Sequence, residues 1–245
     1  MTGPKPGSSG AVVPRRSEPL PTGEAKTASV RAMFDVIAPR YDLVNRVMTF
    51  RMDVGWRRRT IQALGLAAGS TVLDLASGTG DLARDLADRG ITPIGADLSF
   101  GMLAAAPEPF PRVQADGCTL PLPDARLDGA TCGFALRNFT DLAATLAELG
   151  RVLRDDGRLA VVEVAEPPNR LMRFGHRVYF GKVVPLIGRV LSDGDAYAYL
   201  PRSVAYLPEP DELIAMVEHA GFHDVERILL SGGIAQLITA TRDRR

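Results

Sequence analysis

At 245 residues, with 46% hydrophobic and 24% charged residues, the chain has the makeup of a soluble globular protein large enough for one α/β domain. Lys+Arg and Asp+Glu both total 29, so no overall charge bias draws the chain toward nucleic acid. No apolar run approaches the ~20 residues of a membrane-spanning helix, and Cys118 and Cys132 show neither a pairing framework nor metal-ligand spacing, as suits a reducing cytosol.

Residues 1–26 are rich in Gly, Pro, Ser and Thr, lack apolar periodicity, and read as a disordered tail. No apolar segment follows Arg15-Arg16, so a secretory signal is not expected. From Ser29, the residues Val30, Met33, Phe34 and Ile37 recur at i, i+3, i+4 and i+7, one face of a short helix ending near Pro39. Leu43, Val44, Val47 and Met48 repeat the device. Trp56 with Arg57-Arg58-Arg59 opens a third helix to about Leu64, closed by Gly65. Together, residues 27–66 are expected to form a helical lid over a sheet edge, the cover that a hydrophobic substrate needs.

Alternation of strands and helices begins at Thr71. The run TVLDLASGTGD (71–81) carries an apolar strand with Asp74 in it and passes through Gly78-Thr79-Gly80 into a helix at 81–88. Glycine lets a ligand approach the main chain, and a helix N-terminus beside it offers free N–H groups. A second strand at 93–96 ends in Asp97, a short helix spans 99–106, and a third strand from Arg112 to Ala115 delivers Asp116. A fourth strand runs over 127–134, a helix begins at about Asp141, and a fifth strand spans 158–164. Residues 167–207 interrupt the pattern as an insertion placed over the substrate site. A helix at 211–220 and two strands near 225–230 and 234–241, joined by Ser231-Gly232-Gly233, close the chain. The pattern predicts a single domain over 27–245, a doubly wound, mostly parallel seven-stranded α/β sheet with an antiparallel C-terminal hairpin edge.

The glycine turn is an incomplete dinucleotide fingerprint, since Ala83 stands where the third glycine would be. It also lacks the lysine of a phosphate-binding loop. Acids recur in or just after the strands instead, at Asp74, Asp97 and Asp116. Such a pocket repels polyphosphate and suits a cationic nucleoside rich in hydroxyls, such as S-adenosylmethionine.

The pattern D-L-x-x-G-T-G-D, with an acid seventeen residues past Gly80 and Asp116 before Leu120-Pro121, resembles the class I, Rossmann-like S-adenosylmethionine-dependent methyltransferases. MFDVIAPRYDLVNRVMTFRMDVGWRR, FALRNF (134–139), DAYAYLPRSV (195–204) and SGGIAQL (231–237) resemble the C-methyltransferases of quinone biosynthesis. These comprise the demethylmenaquinone methyltransferases and the 2-methoxy-6-polyprenyl-1,4-benzoquinol methylases. The resemblance runs from about Met33 to Thr241. Gly133 and Ala165 replace hydroxyl-bearing residues of that family, a departure that bears on the identity of the ring methylated.

Chemistry and resemblance together imply roles. Gly78, Thr79 and Gly80 wrap the methionine part of S-adenosylmethionine, with Asp74 near its ammonium and Asp97 on the ribose hydroxyls. Asp116, Gly117 and Gly133 complete the cofactor site. Methylation of a ring carbon needs a base, or a cation to hold a phenolate. Arg137 is the candidate for the cation, and Asn138 for a hydrogen bond to a ring oxygen. Tyr41, Asp53, Tyr197 and Tyr199 are candidates for the substrate cavity. No histidine pair has ligand geometry, and no metal is expected.

The implied substrate is a polyprenyl quinol, demethylmenaquinol first. The benzoquinol precursor of ubiquinone, or another phenolic small molecule, is the alternative. RNA methylation is disfavoured by the balanced charge and by the absence of an aromatic-rich basic patch. Between Asn169 and Leu191 stand Arg170, Arg173, Arg177, Lys182 and Arg189 with no acid, and Leu171, Phe174 and Val178 recur beside the first three. Adjacent basic and apolar faces of this kind suit peripheral contact with a membrane surface, at its inner, cytoplasmic face.

Overall fold

The computed structural model describes residues 20–107, 109–191, 199 and 202–244. Strands β1 (Thr71–Leu75), β2 (Thr92–Asp97), β3 (Arg112–Gln114), β4 (Leu127–Gly133), β5 (Leu153–Val164), β6 (Phe222–Leu230) and β7 (Ala235–Arg242) form one sheet in the order β3-β2-β1-β4-β5-β7-β6. The first five are parallel, and β7 runs antiparallel to both β5 and β6. The central strands are apolar on both faces because helices cover both. Within β1, Leu73 and Leu75 pack toward helices α6 (Leu142–Val152) and α9 (Pro210–His219). Val72, on the other face, packs against α3 (Met52–Leu64) and α4 (Asp81–Ala87). The other α-helices with described bounds are α1 (Gly23–Ile37), α2 (Tyr41–Met48), α5 (Phe100–Ala105), α7 (Arg170–Val178) and α8 (Val184–Leu191).

Two boundaries depart from the sequence reading. Residues 20–26 are not a tail: α1 begins at Gly23, and Lys26 is buried. The Lys26 ammonium donates to the Phe139 carbonyl at 2.7 Å and lies 3.7 Å from the Tyr206 ring centroid. A partner 113 residues away, invisible to local periodicity, holds that end of the helix. Strand β5 starts at Leu153, before the expected Arg158. Its pairing with β4 jumps from Leu127–Leu153 to Gly129–Arg158, and residues 154–157 bulge outward between those two pairs.

Helices α1 and α2 share their own small core of Val30, Met33, Ile37, Val44 and Tyr199. The turn into α3 places Phe50 and Arg51 in left-handed backbone, φ 50° and 62°, which reverses the chain and aims α3 down onto the sheet. In the insertion, α7 continues through a π-helical turn (Tyr179–Val183) into α8. Tyr179 fastens it to the lid by donating to the Met48 carbonyl at 2.7 Å.

Candidate functional site: two adjoining cavities

Reversal of strand order between β1 and β4 opens a crevice at the carboxyl ends of the strands, where ligands of doubly wound sheets bind. A cavity of about 120 Å³ fills it, with Asp74, Gly78, Thr79, Asp97, Asp116 and Gly117 in its wall. Asp74 is 1% exposed. Its Oδ1 accepts a hydrogen bond from the Thr131 hydroxyl at 3.1 Å, while Oδ2 has no partner among the described residues. Burial raises its pKa from 3.8 to about 7. Asp97 accepts from the Gly78 N–H and the Ser99 N–H, both at 2.8 Å. Each of its oxygens keeps a lone pair directed elsewhere, as a vicinal diol requires. Burial pushes this carboxyl upward too, against those two backbone bonds.

The glycine turn is sterically determined. Gly80, at φ +85°, has the Phe110 ring 2.5 Å from where a Cβ would stand, and Gly78, at φ +56°, has Met102 at 3.0 Å. Gly80 therefore shapes the turn without itself lining the cavity. The lid closes on the same turn. The Thr79 hydroxyl donates to Asp42 at 2.6 Å, Arg46 meets Asp81 at 3.2 Å, and the Ser99 hydroxyl donates to Asp35 at 2.5 Å.

A second cavity, about 330 Å³, lies beneath the lid and the insertion and is mainly apolar, with Met48, Trp56, Phe134, Met172 and Phe180 in its wall. Its size falls in the range of small-molecule pockets. Phe34, Tyr41, Asn45 and Phe134 belong to the walls of both cavities, so the two spaces adjoin. Phe134 holds left-handed backbone, φ 58°, which turns its ring off the end of β4 against Trp56, 5.8 Å between centroids. Strain of this kind persists where packing over-determines it.

Acids and glycines over a doubly wound sheet, beside a covered apolar chamber, suit a cationic nucleoside and a hydrophobic acceptor. The model of the ubiE/COQ5 methyltransferase family matches residues 22–242. The chain belongs to that family. The demethylmenaquinone methyltransferase of Thermus thermophilus is 42% identical over 220 residues, covering 86% of this chain and all of that one. A ubiquinone/menaquinone biosynthesis C-methyltransferase of Syntrophotalea carbinolica is 41% identical over 221 residues, covering 86% and 93%. Among solved structures, a methyltransferase of Thermotoga maritima superposes with TM-score 0.61 at 20% identity, over 87% of this chain and all of that one. A methyltransferase solved with the Haloferax volcanii Trm112 activator gives 0.61 at 18%, over 86% and 98%. These two share the fold.

As a family member the chain uses S-adenosylmethionine, and the smaller cavity fits it. Asp74, Asp97 and Asp116 in its wall disfavour a phosphate and suit a cation, and the glycines leave room along the backbone. The other expected residues separate. Arg137 lines the larger cavity, but its guanidinium is paired with the Glu163 carboxylate and donates to the Ser203 hydroxyl at 3.1 Å. Glu163 is itself fully buried. Asn138 lies in the cofactor cavity instead, its Oδ1 without a partner among the described residues. Tyr41 lines both cavities, and burial raises its hydroxyl to about 12, keeping it a neutral donor. Gly133 also lines the cofactor cavity, whereas Ala165 lines neither.

Two expectations for the substrate wall are corrected. Asp53 reaches neither cavity: it is fully buried, pairs with Arg57 at 2.5 Å and accepts from the Thr49 hydroxyl at 2.6 Å. Arg57 also meets Asp81 at 3.0 Å and Asp85 at 3.3 Å, so this cluster ties α3 to α4. Tyr199 packs inside the lid core and reaches neither cavity. Tyr197 lies outside the described residues. Sequence reasoning passed over Asn45 and Phe134, shared by both walls, and the cavity-lining His176. The FALRNF motif contained the signal for Phe134 and the lid motif that for Asn45; His176 had none.

Proposed function

We propose that this chain methylates a ring carbon of a polyprenyl quinol, with demethylmenaquinol as substrate and menaquinol as product. The single observation that carries the reading is the junction of the acid-lined cavity with the apolar chamber across Phe34, Tyr41, Asn45 and Phe134. When bound, S-adenosylmethionine supplies an electrophilic methyl group. Asp74 neutralises its ammonium, Asp97 accepts from its ribose hydroxyls, and Gly78 and Thr79 lie along its methionine part. Asp116, Gly117 and Asn138 stand around the remaining nucleoside, with Gly133 in the floor. Trp56 and Phe134 stack on the quinol ring, and the lid excludes water from it. Tyr41, a neutral phenol in both walls, donates to a ring oxygen, while Arg137, held by Glu163, biases the local field toward a phenolate.

The prenyl chain needs a way in. In α7 no residue is buried, and Leu171 and Phe174 are 80% and 67% exposed. Beside them, packed on Tyr179 at 5.7 Å between centroids, Phe50 is 70% exposed. Arg170, Arg173 and Arg177 accompany the α7 pair, and Met172 of the same helix lines the chamber. We assign this face to the cytoplasmic surface of an anionic bilayer, from which the substrate enters. Among the described residues no helix is long and apolar enough to cross a membrane. The decisive assay is transfer of labelled methyl from S-adenosylmethionine to demethylmenaquinol kept reduced. Deletion of the gene should leave the demethyl quinone in the membrane. Accumulation of a different demethyl ring would redirect the reading to the benzoquinol.

A further inference from the structure

Helix α7 borders the larger chamber, and its side chains sort into three arcs at about 100° per residue. Met172, Gly175, His176 and the following Tyr179 make up the first and stand in the chamber wall. Leu171, Phe174 and Val178 make up the second, all exposed. Arg170, Arg173 and Arg177 make up the third. Gly175 falls on the border of the first two, with Leu171 about 40° to one side and Tyr179 about 40° to the other.

The larger side chains on either side of Gly175 in the chamber arc are fastened. Met172 lies over the C-terminal hairpin turn, its methyl group in the space that a Cβ on Gly232 would need. Tyr179 is tied to the lid, donating to the Met48 carbonyl at 2.7 Å and packing on Phe50 at 5.7 Å between centroids. Between them Gly175 is exposed, and a Cβ placed on it would have no atom within 4 Å. Phe50, also exposed, lines the chamber from the lid side. Exposed residues in the wall of a cavity mark its mouth, so the chamber opens past Gly175, between Met172 and the Tyr179–Phe50 pair. The two usual reasons for a glycine are absent here: its φ is not positive, and nothing approaches it closely. In an exposed helical position glycine is otherwise a poor choice, since alanine favours the helix.

The chamber, about 330 Å³, stands at the low end of the sizes that bury one small molecule. It holds a ring and the start of a prenyl tail, and a longer tail has to leave it. Resting on the quinol reading above, we propose that Gly175 is a specificity-determining residue, the gap through which the prenyl tail passes out of the chamber. The ring stays inside, beside Trp56 and Phe134. The tail runs out between Met172 and Tyr179 and onto the exposed stripe of Leu171, Phe174 and Val178, which keeps part of its apolar surface from water.

The test compares two substrates with the full chain at saturating S-adenosylmethionine, both held reduced and both in detergent, so that no bilayer takes part. One is a demethylmenaquinol with a tail of several prenyl units, the other the same ring with a single unit. Gly175→Leu fills the gap and should lower kcat/KM for the long-tailed quinol, relative to the short-tailed one, at least about tenfold, mainly through KM. Gly175→Ala leaves most of the gap open and should move that ratio less than about threefold. Calorimetric affinity for S-adenosylmethionine should hold in both variants, and neither should melt earlier than wild type, because both residues favour a helix over glycine. Trp56, the one tryptophan of the chain and part of the chamber wall, gives a readout without turnover. Its quenching by the oxidised long-tailed quinone should weaken in Gly175→Leu, and its quenching by the short-tailed quinone should not. A ratio unchanged in Gly175→Leu would overturn the assignment. So would an equal loss for both substrates, which would place the effect on the ring or the fold. A wild-type chain that methylates neither quinol overturns the functional reading and this inference with it, whereas an active wild type beside an unchanged ratio overturns Gly175 alone.

Discussion

Removing the charge of Asp74 should stabilise the empty protein while weakening its hold on the cofactor. The folded-state pKa of about 7 lies well above the ordinary 3.8, because burial penalises the carboxylate by more than the hydrogen bonds from Thr131 and the Ala83 backbone favour it. The folded chain thus binds the proton more tightly than the unfolded one. Stability tied to this group is complete below pH 3.8 and is lost as pH rises through 7. Between pH 5 and pH 8 the loss comes to about 3 kcal/mol, at 1.4 kcal/mol per pH unit until the folded-state pKa is passed. An asparagine at this position would match the shape and the Thr131 contact but cannot ionise. Asp74→Asn should therefore gain about 3 kcal/mol on the ligand-free wild type when the comparison moves from pH 5 to pH 8. For a chain of this size that is roughly 6–12 °C in Tm. Thermal melts at both pH values, without ligand, measure it. With saturating S-adenosylmethionine the order should invert at pH 8, since only the wild type gains a counter-ion for the ammonium. An Asp74→Asn difference independent of pH would refute the claim that burial penalises the Asp74 carboxylate in the empty protein.

Asp97→Ala, which removes two charge-assisted acceptors, should weaken S-adenosylmethionine binding roughly a hundred-fold in calorimetry. Far-UV circular dichroism should report an intact fold. Arg137→Ala strands the fully buried Glu163 and should cost about 3–5 kcal/mol in urea denaturation. Glu163→Gln added to it should recover part of that loss, and an undiminished stability in the single variant would show the pair to be solvated. The wild-type chain should float with anionic liposomes, and Leu171→Asp with Phe174→Asp should stop it doing so at unchanged cofactor affinity. Wild-type protein left in the sedimented fraction would remove the bilayer assignment for α7.

Much of this molecule is written locally. The alternation of strand and helix, the glycine turn and the acids at strand ends depend on spacing within a few residues, and the seven strands, with their antiparallel C-terminal edge, formed accordingly. Only the tertiary structure could separate residues of the same chemical type. Arg137 and Asp53 are both candidates for the site in the sequence, yet one reaches the chamber and the other is taken up by Arg57 and Thr49. Tyr41 and Tyr199 are both aromatic residues of the lid and its insertion, yet one divides the two cavities and the other fills the lid core. The Glu163 partner of Arg137 lies 26 residues away along the chain, and no periodicity records such a contact. His176 is the clearest case. In the sequence it is a solitary histidine in a basic segment, and only the folding of α7 brings it into the wall of the larger cavity with its Nε2 buried. The composition and spacing of the chain determined its cofactor, because that site is built from one turn and the ends of adjacent strands. The packing of lid and insertion decided the acceptor chamber, because its walls come from segments that meet only when the chain is folded.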